Sequence, residues 1–334
     1  MTTALLVEPT LRLFLRPGIA DSATRLDYHG WSMTFSDTDV RATIRLGHSP
    51  DPDDAFMWWP LFDRDGAPAP LSSARFRFEQ VVEDIEALNQ LACESSDEAA
   101  LEITGISCAC YPLVAKRYAI TACGASLGDG YGPRLVGRES SSLEQLAAGR
   151  PTIAVPGERT TAYLVSRLIF KGTEVDWKPM LFSDIPAAVA DGSVDAGVVI
   201  HEGQLTYADD GLIELLDLGV WWQDQTDLPL PLGANVIRRG LDQRFGPGAT
   251  DEIVGMLQRS LQHAMEHREE SIARAKEWGR GIDEAVTGTF VDMYVNRWTL
   301  DYGPTGRTAV TALLSRAAEA GLLPDCPEPE FLSS

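Results

Sequence analysis

Basic residues are scarce in this chain, with 28 Lys and Arg against 49 Asp and Glu in 334 residues and a formal net charge of −21. Nucleic-acid binding needs a basic surface to replace phosphate counterions, so this balance argues against it. It argues equally against an anionic membrane face. Long apolar runs are missing too, and none approaches the roughly 18 residues of a membrane span. Met1 to Ala20 holds only a short apolar patch, broken by Glu8, Pro9, Arg12 and Arg16, which makes a poor secretory leader. The five cysteines (Cys93, Cys108, Cys110, Cys123 and Cys326) are odd in number, and Cys108 and Cys110 stand closer than a usual zinc-ligand pair. Reduced thiols in a cytoplasmic protein are the expectation. Catalytic signatures are also lacking, with no G-x-S-x-G elbow, P-loop or kinase set. Gly128, Gly130 and Gly132 lack the dinucleotide-binding spacing and read as a hinge or turn.

What is present is an ordinary globular composition, 44% hydrophobic and 23% charged. The length predicts two domains at about 100–200 residues each. Residues 1–40 carry no clear period and read as an extension of unassigned role, with Met33 as an internal start candidate. Beyond it the punctuation is regular. Strands are predicted at Ile44–Gly47, around Phe76, Phe78 and Gln80, at Leu101–Ile106 and at Tyr118–Cys123. A helix carrying Phe56, Met57 and Trp59 is expected with Asp53 or Asp54 as its cap. Another runs from Glu83 with Ile85, Leu88, Leu91 and Ala92 on its apolar face.

After the glycine-rich Gly124–Gly132 come a strand at Thr152–Val155, a helix over Thr160–Lys171 and an extended Val175–Phe182. Ser183 is expected to cap a short helix ending at Gly192. The buried strand Val194–Ile200 follows. Such alternation predicts a parallel sheet with crossover helices. Pro229-Leu230-Pro231-Leu232-Gly233 reads as a return crossing, and helices follow over about 250–278, 283–298 and 304–320. The stripe Ile253, Leu257, Leu261, Met265 is core. The fold class is therefore α/β with two lobes, 133–233 inserted into a first lobe made of 41–132 and 234–334. A ligand cleft between them is expected.

Three places carry chemistry. The strand Val194–Ile200 ends on His201, an imidazole at the carboxyl end of a buried strand, where open α/β sheets bind ligands. It can serve as a base or merely hydrogen-bond a carbonyl. At Gly157–Tyr163 a strand feeds a helix whose N–H groups and dipole favour an anion such as a carboxylate. Thr160 or Thr161 can cap that helix, bind ligand, or both. Ser107 is a hydroxyl after a strand, facing the same crevice. His48, Asp51, Asp53 and Asp54 read as turn and cap residues rather than metal ligands, and Trp58-Trp59 and Trp221-Trp222 as packing with one of each pair free to line a cleft. One base, anion-holding loops and a closable cleft suit proton abstraction beside a carbonyl followed by elimination. They suit a small-molecule binding protein almost as well.

From about Ile44 to Leu323 the chain resembles the 1,4-dihydroxy-6-naphthoate synthase family of the futalosine route to menaquinone. The resemblance rests on Ser49-Pro50-Asp51-Pro52-Asp53-Asp54-Ala55-Phe56, Glu83-Asp84-Ile85-Glu86-Ala87-Leu88-Asn89, Thr160-Thr161-Ala162-Tyr163 and Ile200-His201-Glu202. To these it adds Asp217-Leu218-Gly219-Val220-Trp221-Trp222 through Leu228-Pro229-Leu230-Pro231-Leu232-Gly233-Ala234.

The resemblance implies a periplasmic-binding-protein-like fold in the cytoplasm, without metal or redox cofactor. It implies cleavage of cyclic dehypoxanthine futalosine to 1,4-dihydroxy-6-naphthoate, with His201 as base. Gly105, Ile106, Ser107, Thr161 and Ala162 would hold a small-molecule carboxylate substrate; Ser49 and Thr160, at the heads of two motifs, are further candidates. Relatives commonly have lysine at the position of Gly105 and read Ser-Pro-Cys-Pro-Asn-Asp-Thr from Ser49. Asp51, Asp53 and Ala55 thus make this mouth more acidic. A sister enzyme of the same route acting on chorismate is the other catalytic alternative.

Overall fold

The structure is a computed structural model that describes residues 26–28, 31–33, 41–64, 66–278, 284–325 and 327–333. Residues 1–40 and Arg41–Ser334 form two separate units. In the first, β1 (Leu26–Tyr28) and β2 (Trp31–Met33) pair antiparallel, a strand pair that residues 1–40 did not announce through any period. The rest of that extension, and Cys326, lie outside the described residues.

In the second unit the strands follow in chain order. The first six are β3 (Ala42–His48), β4 (Phe76–Val82), β5 (Ile103–Ser107), β6 (Tyr118–Thr121), β7 (Ser126–Gly128) and β8 (Arg134–Gly137). Then come β9 (Thr152–Val155), β10 (Asp176–Pro179), β11 (Ala196–Val199), β12 (Ile213–Asp217), β13 (Leu230–Arg238) and β14 (Phe331–Leu332). One sheet runs β14-β6-β13-β5-β3-β4, with β7 also on β13; the other runs β10-β9-β11-β8-β12.

Neither sheet is purely parallel, contrary to the alternation argument. β3 pairs parallel with β4 and β5, and β9 with β10 and β11. β13 is antiparallel to β5 and β6, and β8 to β11 and β12. The exceptions are physical: β8 opens the second sheet and β13 brings the chain back, so each lies against neighbours built by crossover connections of the opposite sense. β7, β8, β12 and β14 were not read as strands from the sequence.

Buried β-branched and aliphatic residues cover both sheets. One cluster joins Ile106, Ile120 and Val236 of the larger sheet with Leu135, Ile153 and Val198 of the smaller, together with Trp222 and Tyr302. On the larger sheet, Ile44, Leu46, Phe76 and Ile237 pack against Ile253, Leu257 and Leu261 of the helix Ala249–Glu266. That helix ends at His267, and a second helix, Arg268–Lys276, follows directly, the interruption the sequence allowed. Met265, expected in the apolar stripe, is 36% exposed, as is Leu91 at 37% on the helix Ile85–Glu94. Both sit near helix ends, where the stripe runs past its sheet. Gln80 is exposed while Phe76 and Phe78, on the same strand, are buried.

Two caps also differ from expectation. Asp53 and Asp54 do not cap the helix Pro52–Trp58. Asp51 holds the cap position without a side-chain bond, and the two lie in the first turn. Proline at the first helical position fixes that start two or three residues earlier than the aspartates suggest. Ser183 does not cap Ile185–Ala190 but lies inside a short 3-10 turn, Phe182–Asp184. Asp84 and Asp217, by contrast, each accept two backbone N–H groups at the starts of their helices.

Candidate active site

The loops after β3, β5, β9 and β11 and the first residues of β13 surround one cavity of about 110 Å³. Every candidate from the sequence lines it: Ser49, Gly105, Ile106, Ser107, Thr160, Thr161, Ala162 and His201. Asp51, Asp53, Asp54, Ser126, Gln204, Asn235, Phe290 and Tyr294 line it too. None of the four tandem tryptophans does. Trp58 and Trp222 are fully buried, and the Trp222 indole donates to the Pro229 carbonyl at 3.1 Å.

His201 stands two residues beyond β11 with φ of 54°, a left-handed backbone that costs a non-glycine residue roughly 1–2 kcal/mol. Its neighbourhood holds that conformation in place. The Gln204 backbone N–H and side-chain amide both donate to the His201 carbonyl, at 3.1 and 3.2 Å. Tyr294 in turn donates to Gln204 Oε1 at 2.7 Å. The ring meets Phe182 edge-on at 4.8 Å, and its Nδ1 lies 2.9 Å from Asp51 Oδ2. The side chain is 16% exposed and that of Asp51 only 1%. Burial is the largest influence on the imidazole and pulls its pKa down. The Asp51 carboxylate by charge and contact, then Glu202 and Asp53, outweigh it and leave the pKa above the ordinary 6.5.

The aspartates of the Ser49–Asp54 loop have separate tasks. Asp54 Oδ2 accepts both the Ser49 N–H, at 2.9 Å, and its hydroxyl, at 2.6 Å. Asp53 is 8% exposed and accepts from the Ser126 hydroxyl at 3.4 Å. Burial, then the charges of Asp54 and Asp51, push its carboxyl from 3.8 up to about 8. The folded chain therefore holds this proton more tightly than the unfolded one. Such a group's contribution to stability is complete below pH 3.8 and is lost as pH rises through about 8. Asp53→Asn removes the titration. The melting temperature of the variant relative to the natural chain is expected to climb between pH 5 and pH 8.5, and a difference constant across that range would contradict the assignment.

Across the cavity the groups are donors. Ser107 is held by Asn89, whose Oδ1 accepts the Ser107 N–H at 2.8 Å and whose amide donates to its Oγ at 3.1 Å. With Oγ already accepting, its own proton is free to point into the cavity. Thr160 caps the helix Thr161–Ile169 by accepting from the Tyr163 N–H at 3.2 Å and donates to the Gly157 carbonyl at 2.8 Å. The Thr161 hydroxyl donates to the Leu232 carbonyl at 2.8 Å and accepts from the Ala109 N–H at 3.2 Å. Both hydroxyls are thus spent on the fold, as is that of Ser49. The Thr161 and Ala162 N–H groups, orphaned at a helix start, are what this segment can offer a ligand.

Gly157, at φ of 141°, lets the segment approach so closely that a Cβ there would fall 2.6 Å from the Glu86 side chain. Glu86 accepts from the Arg159 N–H at 3.2 Å, which ties the helix Ile85–Glu94 to this loop. Asn89, Gln204, Asn235 and Tyr294 went unread in the sequence. Asn89 and Asn235 are polar residues at almost fully buried positions, a pattern visible only once burial is known. Asn235 donates to the Gly124 carbonyl at 2.7 Å and leaves its Oδ1 toward the cavity, where Gly105 leaves space. No group of three or more His, Cys, Asp or Glu side chains converges on a metal geometry among the described residues.

Comparison with known proteins shows the family. The chain is 37% identical over 293 residues to a 1,4-dihydroxy-6-naphthoate synthase from Thermus thermophilus, covering 86% of this chain and 99% of that one. A synthase of the same name from Streptomyces coelicolor is 36% identical, covering 84% and 95%. A crystal structure of a protein from Archaeoglobus fulgidus superposes with a TM-score of 0.70 at 39% identity, covering 84% of this chain and 98% of that one. At 15% identity, the alkanesulfonate-binding protein from Xanthomonas axonopodis superposes with a TM-score of 0.59 over 88% of this chain and 99% of that one, which shows a periplasmic-binding-protein-like fold and nothing more. The model of the menaquinone biosynthesis family matches residues 44–319. The chain belongs to the menaquinone biosynthesis family of enzymes.

Proposed function

We propose that this enzyme is a carbon–carbon lyase that converts cyclic dehypoxanthine futalosine to 1,4-dihydroxy-6-naphthoate in the cytoplasm. The observation that carries the reading is that His201 and the donor set of Ser107, Thr161 and Ala162 open onto the same cavity. The substrate carboxylate lies against the Ser107 hydroxyl and the Thr161 and Ala162 N–H groups, where the helix dipole favours negative charge. Gly105 and Ile106 shape the wall beside it. His201 takes the proton next to the ketone, and the resulting carbanion expels a three-carbon fragment. The lobes are 41–132 with 234–334, and 133–233; the division of the strands into two sheets near these boundaries supports them, with β13 crossing the second. Their closure would exclude water around the carbanion.

The test is incubation of the purified protein with cyclic dehypoxanthine futalosine. Formation of 1,4-dihydroxy-6-naphthoate is expected. Binding of that compound without conversion, or turnover of chorismate in its place, would overturn the reading.

A further inference from the structure

The base of the proposed reaction has a partner that nothing in that reaction assigns. Residues 51 and 201 are 150 positions apart, yet His201 Nδ1 lies 2.9 Å from Asp51 Oδ2 in a place where the carboxylate is 1% exposed. The ring is confined further by the edge of Phe182 at 4.8 Å and by the two Gln204 donors on its own carbonyl. Three other acidic groups stand close by. Asp54 is engaged by Ser49, Asp53 faces Ser126, and Glu202 follows the histidine in the chain. Asp51 is the acid that lies within ion-pair distance of the imidazole nitrogen, at 2.9 Å.

We propose that Asp51 is the positioning residue of the site, fixing the ring through Nδ1 so that Nε2 is the atom that removes the substrate proton. This rests on His201 being the base. An imidazole in water favours a proton on Nε2, which would leave the wrong nitrogen to accept. A buried carboxylate against Nδ1 selects the other tautomer and steadies the imidazolium that forms when the proton arrives. No covalent bond is made or broken by Asp51; the proton moves from substrate carbon to Nε2 and Nδ1 keeps its own.

The tautomer can be read without substrate. The chain has five histidines, so the His201 signals are assigned by their loss in His201→Asn, and nitrogen-15 correlation spectra report which ring nitrogen carries the proton. The neutral ring is expected as the Nδ1–H form, and a dominant Nε2–H form overturns the proposal. The second arm is Asp51→Asn. Asp51, Glu202 and Asp53 all raise the His201 pKa, so removal of the Asp51 charge is expected to lower it by about one unit or more. The acid limb of the kcat/KM profile then moves to lower pH by the same amount, while kcat falls about tenfold or more at nearly constant KM. A residue that only braced the fold would scale the profile without moving its limb, and that result overturns the proposal as well. Product formation by the natural chain tests the reaction, whereas tautomer and titration are measured on the free protein, so either can fail alone.

Discussion

His201→Asn is expected to reduce kcat on cyclic dehypoxanthine futalosine by about 10³-fold, roughly 4 kcal/mol of transition-state stabilisation, while substrate still binds. Asparagine is the informative replacement for a reason set by the backbone. His201 sits at φ of 54°, and asparagine is enriched in that left-handed region, so the turn that presents the side chain survives. The amide cannot accept a proton at neutral pH. Ser107 and the N–H groups of Thr161 and Ala162 are untouched, so KM should change little. In the natural enzyme the imidazole must be neutral to act, and its pKa is raised by Asp51 beyond what burial takes away. Activity should therefore fall on the acid side with a midpoint above the ordinary histidine value, and the variant should lose that limb altogether. Turnover of His201→Asn within tenfold of the natural chain would remove the imidazole from the mechanism.

Gly219→Ala is expected to cost about 4 kcal/mol or more of stability, near the upper end for single substitutions. A Cβ at Gly219 would fall 2.0 Å from the Tyr131 carbonyl oxygen and 2.1 Å from its carbon, with the Gly132 nitrogen at 2.6 Å. All three are backbone atoms and cannot rotate away. Here the helix Leu218–Thr226 begins directly against the segment that leads into β8, and Asp217 at its cap accepts the Gly219 and Val220 N–H groups. A methyl group must pry the two apart, breaking that cap and the contact together. Gly288→Ala is the control. Gly288 lies within the helix Glu284–Tyr294, and a Cβ there would meet only the end of Ile272 at 3.8 Å. It should gain about 1 kcal/mol from helix propensity. Urea midpoints separate the two, and a Gly219→Ala midpoint equal to that of the natural chain would contradict the packing argument.

Much of the scaffold was legible before any coordinates. Thr152–Val155 is the strand that its apolar run indicates. Thr160 caps the helix that follows, because a cap needs only a hydroxyl three residues before the N–H it satisfies. The eight candidate site residues line one cavity: Ser107, Thr160, Thr161 and His201 stand where apolar runs stop, whereas Ser49, Gly105, Ile106 and Ala162 came from the family resemblance. The errors were local competitions decided elsewhere. Asp53 and Asp54 are good caps in isolation, but Pro52 starts the helix before them. β8 and β13 run against their neighbours, because strand direction follows from the path between sheets rather than from side-chain alternation.

The sequence by itself determined most of the helices and strands, the α/β class and the loops that carry chemistry, since each depends on residues within a turn or two of one another. Only the tertiary structure decided that Asp51 meets His201, that Asn89 orients Ser107 and that the Thr161 hydroxyl is spent on Leu232. Those contacts join segments whose separation along the chain leaves no periodic trace. Their strength comes from burial, which a side chain acquires only when the whole chain has closed around it.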